Sequence, residues 1–134
     1  MAGHVRRLID MSSALSGNPL GALDSHVAGT LEDLVQALDG VGLDPELLEL
    51  CASRIELMIG IETPASIRPP QDDRERVVLA FAEQYVLDAH GVTDELCAEL
   101  NAHLSPPELA AITTAIATFE ALARSRVVLK GVVE

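Results

Sequence analysis

The sequence predicts an all-α protein, a compact bundle of about six helices, on three observations. Apolar residues recur at steps of three and four through most of the chain, the spacing that draws one buried face of a helix. Starts are marked by a capping residue followed by proline or an acidic side chain, and stops by glycine. Apolar residues make up 49% of the chain while Trp is absent and aromatics are 2%, so the core must be built from Leu, Ala, Val and Ile, which suit close-packed helices. No segment reads as a strand, since Val127-Val128-Leu129 is too short to overturn the helical pattern around it. At 134 residues the chain is expected to form one domain over residues 1–134, large enough to bury roughly two-thirds of its unfolded surface.

Taken in order, residues from His4 to Leu15 make a short helix with Val5, Leu8, Ile9 and Met11 as its apolar contacts. Ser16-Gly17-Asn18-Pro19 breaks it. Asn18 caps the next helix and Pro19 begins it; Leu20, Leu23, Val27, Leu31, Leu34, Val35 and Leu38 carry its repeat, with Gly29 a mild flaw. Asp39-Gly40-Val41-Gly42 ends it. The stretch DPELLELCASRIELMIG, from Asp44 to Gly60, is the one around which the chain is organised. Asp44 is its N-cap, Pro45 its first helical residue, and Leu47, Cys51, Ile55 and Met58 its buried stripe.

The segment from Ile61 to Gln71 holds Pro64, Pro69 and Pro70 and cannot be a regular helix. Asp72 caps the following helix, with Glu75 three residues on, and Val78, Phe81, Ala82 and Tyr85 share one of its faces. Gly91 fits the left-handed position after its end, where His90 serves as a C-terminal cap. Thr93 starts a shorter helix with Leu96, Cys97 and Leu100. Ser105-Pro106-Pro107-Glu108 is the cleanest start signal, and the helix behind it is expected to run to about Lys130, before Gly131. No charge falls between Leu109 and Phe119, so that helix is expected to be buried on most sides, inside the domain or in an oligomer.

Charge and composition exclude several functions. A net charge of −12 argues against nucleic acid and anionic membrane surfaces, which need a basic patch, and the few aromatics offer little for base stacking. No run of residues approaches membrane-spanning length, and the basic N-terminal stretch has no apolar run behind it, so a cytoplasmic protein is expected. Cys51 and Cys97 are far apart in sequence, each on an apolar stretch, and read as two small buried hydrophobes. His26 and His103 have no metal-ligand spacing around them, so no metal and no cofactor are expected. There is no Gly-rich phosphate loop and no nucleophile elbow.

LDPELLELCASRIELMIG, followed by the segment from Asp72 to Leu129, resembles the carboxymuconolactone decarboxylase and alkylhydroperoxidase D family over residues 30 to 129. Glu49 and Arg54 sit as in the family's first motif, and Arg124 matches a family Arg; Glu120 stands where the family often has Asn. The peroxidase branch carries a Cys-x-x-Cys pair and a nearby His after this first helix. Here the corresponding positions are Ile61 and Pro64, and Ser66-Ile67-Arg68 supplies no His. The proline-rich linker stands in place of the family's cysteine-bearing helix. The resemblance therefore implies an alkylhydroperoxidase D-like bundle without the redox pair, and a homo-oligomer (dimer, trimer or hexamer) as in that family.

Three functions remain open. The first is acid–base chemistry on a small carboxylated molecule, as a cofactor-independent lyase, isomerase or decarboxylase. Its catalytic candidates are Glu49 as proton carrier and Arg54 and Arg124 as carboxylate holders, with Cys51, Tyr85 and Glu120 as ligand contacts. Set against it, the preferred reading of Glu49 is an ion-pair partner of Arg54 or of another helix, and that of Glu120 and Arg124 a helical pair. The second is a non-catalytic ligand-binding or interaction protein on the same scaffold. The third is residual peroxidase or disulfide reductase activity through Cys51 or Cys97.

Overall fold

The computed structural model describes residues 33, 34, 36, 37, 40–61 and 68–133, with the backbone alone at 126 and 129–133. The expected helix from His4 to Leu15, most of the next one, His26 and the linker's Pro64 lie outside these residues. Within them the protein is all-α. The helices are α1 (Pro45–Ile59), α2 (Asp73–Asp88), α3 (Asp94–His103) and α4 (Pro106–Val133), with a single 3₁₀ turn, Ala89–Gly91, after α2. Residues 33, 34, 36, 37, 40 and 41 are also helical, and the chain turns at Gly42, the last residue of the expected stop Asp39-Gly40-Val41-Gly42, where φ is 75°.

The central element is α1. The Asp44 carboxylate accepts the Glu46 N–H at 3.0 Å, and Pro45 occupies the first turn without leaving an orphan donor. At the other end Gly60 adopts φ 100°, ψ 21°; its N–H and that of Ile61 both reach the Glu56 carbonyl, at 3.1 and 2.9 Å. This is the left-handed stop that a side chain would strain. Between the caps, Leu47, Leu48, Leu50, Cys51, Ala52, Ser53, Ile55 and Glu56 are all buried. That is far wider than the predicted stripe, and Met58, assigned to it, is only half-buried. Both α2 and α4 pack against α1, so a helix in this position hides most of its circumference rather than one side.

At the start of α2, Asp72 accepts the Glu75 N–H at 2.8 Å. The inward face carries Val77, Val78, Leu79, Phe81 and Ala82. Its end differs from the sequence reading. Positive φ among the described glycines occurs at Gly42 and Gly60, not at Gly91. The chain leaves α2 through the 3₁₀ turn, held by the Asp88 carboxylate accepting the His90 N–H at 3.0 Å, and His90 itself is exposed. A Cβ at 91 would meet the amide end of the Gln84 side chain, which is flexible enough to move aside.

Thr93 caps α3 through the Leu96 N–H at 3.1 Å, and Leu100 and Leu104 anchor this short helix in the core. Cys97 is exposed, correcting the reading of both thiols as buried: α3 is covered mainly on the side that carries Leu100.

Ser105 and Glu108 form a reciprocal capping box, Glu108 N–H to Ser105 Oγ at 3.3 Å and Ser105 N–H to Glu108 Oε1 at 3.0 Å. At 28 residues α4 spans about 42 Å. It passes through Gly131 instead of stopping there, because one glycine costs a helix only about 1 kcal/mol. Ala111, Ile112, Ala115, Ile116, Phe119, Leu122 and Ala123 face inward, while Ala110, Thr114 and Ala121 are exposed. The uncharged segment is thus buried on one side within the single chain and presents small side chains on the other. Thr113, Thr114 and Thr118 donate their hydroxyls to the carbonyls four residues back, at 2.8, 2.9 and 2.8 Å, which lets polar residues sit in an apolar helix without outside partners. Replacing the cap, Ser105→Ala, is expected to lower stability by about 1 kcal/mol, seen as a lower urea midpoint with an unchanged slope, whereas Ser105→Asp retains it.

Candidate functional site

The residues proposed for acid–base chemistry are distributed over two helices and do not share one face. Glu49 and Arg54 both belong to α1 but are five residues apart, which sets them about 140° apart around the helix axis. Arg54 therefore turns away from Glu49 and reaches across to α2, where Nη1 donates to Glu83 Oε1. Both side chains of this interhelical pair remain about one-third exposed, at 32% and 39%. Glu49 is half-buried on another side of the helix. Arg124, on α4, donates Nε to Glu120 Oε1 at 2.9 Å, the i,i+4 pair that the sequence spacing anticipates.

Tyr85 is half-buried on α2 and lies edge-on to Phe81, with ring centroids 6.3 Å apart and an interplanar angle of 68°, an arrangement of packing aromatics. Cys51 is fully buried in α1. Burial pushes its thiol up to about 12; the nearby Arg54 charge opposes this and the Glu75 charge adds to it. Cys97 is a free thiol on α3.

Two features escaped the sequence reading. Ser53 and Glu56 are buried polar residues of α1, at 1% and 2% exposure, and with Glu49 they lie on one side of the helix at steps of four and three. The charges at Glu49 and Glu56 are visible in the stretch, but the apolar periodicity there carries no sign that Ser53 and Glu56 are buried. The second feature is an ion cluster where the linker rejoins the helices. Arg68 embraces Glu75 with two bonds, Nη1 to Oε1 at 2.8 Å and Nη2 to Oε2 at 2.9 Å, and Nη2 also reaches Glu46 at 2.7 Å. Glu75 accepts the Gln71 N–H at 3.2 Å as well, so its carboxylate closes the start of α2 from one residue before the cap. Nothing local in the sequence signals this cluster, because Glu46 stands 22 positions from Arg68 and 29 from Glu75.

Neighbouring pairs extend it: Arg74 to Glu108 at 3.3 Å ties α2 to α4, and Arg76 to Glu99 at 3.3 Å ties α2 to α3. Every arginine whose side chain is described (Arg54, Arg68, Arg74, Arg76 and Arg124) is engaged with a carboxylate. Among the described residues no group of three His, Cys, Asp or Glu comes together that could hold a metal ion, and no helix is long and apolar enough to cross a membrane.

The Arg68 guanidinium holds the Glu75 carboxyl below its ordinary value of 4.5, with the Gln71 N–H adding to the effect. The Ser105 backbone and hydroxyl do the same for Glu108. A carboxyl whose value is depressed in the folded state contributes stability above its unfolded value and loses it as pH falls through the folded one. The thermal midpoint of the protein is therefore expected to exceed that of Glu75→Gln at pH 7, and the gap to close as pH falls from about 5 towards 2. A gap that did not change with pH would show that the Glu75 charge contributes nothing to the fold.

What these observations define is a class, an all-α protein among its described residues, with its candidate arginines engaged in ion pairs between and along helices. Comparison of the chain with protein-family models, with curated proteins and with solved structures finds no match.

Proposed function

We propose that this chain is a redox-inactive helical scaffold, alkylhydroperoxidase D-like in its bundle, that works by binding and self-association rather than by chemistry of its own. The observation that supports this reading most is the commitment of the candidate cations: Arg54 is engaged with Glu83 and Arg124 with Glu120, on different helices. A receptor for a substrate carboxylate needs its guanidinium available, and each of these already holds an internal carboxylate by one bond, Arg54 through Nη1 and Arg124 through Nε. Self-association is supported by α4, whose outer side carries small residues and whose far end exposes Val127 and Val128, at 46% and 64%. Native mass spectrometry of freshly purified protein tests the reading. A defined homo-oligomer that persists in Arg54→Gln and Glu49→Gln is the expected result. A monomer at every concentration, carrying no small molecule, would overturn it.

One observation favours the acid–base reading as a second. Both side chains of the Arg54–Glu83 pair are about one-third exposed, at 32% and 39%, which leaves Arg54 within reach of a small carboxylated molecule that takes the place of Glu83. Glu49 is then the candidate proton carrier. On this reading a carboxylate copurifies with the wild type and is lost from Arg54→Gln; a ligand that is retained in that variant counts against it.

A further inference from the structure

We draw no further inference here: the strongest candidate, the outer stripe of α4 formed by Ala110, Thr114, Ala117 and Ala121, is a row of small side chains within the self-association surface already proposed, and nothing in the structure shows what covers it.

Discussion

A thiol reagent added to the folded protein at neutral pH is expected to modify Cys97 at once and to leave Cys51 untouched. Cys97 is exposed on α3, whereas Cys51 is at 0% exposure in the middle of α1. Two barriers act on Cys51 together. The reagent has no path to the sulfur while α2 and α4 cover α1. With its value pushed up to about 12, only about one thiol in 10⁵ is ionised at pH 7, and the thiolate is the nucleophile. The expected ratio of rates is at least about 10²-fold, falling to equality in denaturant, where both barriers vanish. The experiment counts labelled cysteines with time by mass spectrometry, and Cys97→Ala should remove the fast phase altogether. Comparable rates for the two cysteines in the native protein would mean that α1 is not the covered element described above. The same result bears on residual peroxidase activity, which requires an attacking thiolate of lowered pKa. Burial drives Cys51 in the opposite direction.

Truncation of Phe119 is expected to be the most damaging single change in the core. Its side chain is at 0% exposure, in a core shared with Leu47, Ile55, Ile112 and Ile116, and α4 packs closely on α1. Phe119→Ala removes a ring that neighbouring helices can only partly collapse to replace, at a cost of about 3–5 kcal/mol. Domains of this kind are stable by about 5–15 kcal/mol in all, so the variant should show a much lower denaturation midpoint or fail to fold. Leu87→Ala is the exposed control: at 73% exposure on α2 it should change stability by less than about 0.5 kcal/mol. A Phe119→Ala variant as stable as this control would contradict the packing of α4 against α1.

The outcome at particular residues shows which parts of the fold were legible. Each cap read from the sequence at Asp44, Asp72, Thr93 and Ser105 is made by the expected side chain, and α1 stops at Gly60, which takes the left-handed conformation. These are local interactions, the caps over no more than three residues and the Gly60 stop over no more than five, and the sequence contains both partners. The same locality explains the i,i+4 pair between Glu120 and Arg124. Where a stop signal carried little energy the reading failed: Gly131 lies inside α4, and Gly91 follows a 3₁₀ turn without the positive φ expected of it.

The all-helical class, the four main starts and the role of the stretch from Asp44 to Gly60 were determined by the sequence alone, because spacing and capping are properties of neighbouring residues. Only the tertiary structure decided that α1 is buried around most of its surface, that Cys51 is enclosed while Cys97 is not, and that Arg54 belongs to Glu83 rather than to Glu49. It also decided the Arg68 cluster, in which one guanidinium joins the starts of α1 and α2. Burial depends on how many helices cover a face, and a long side chain pairs with whichever charge the packing brings within reach. Neither quantity is written in the spacing of a single helix.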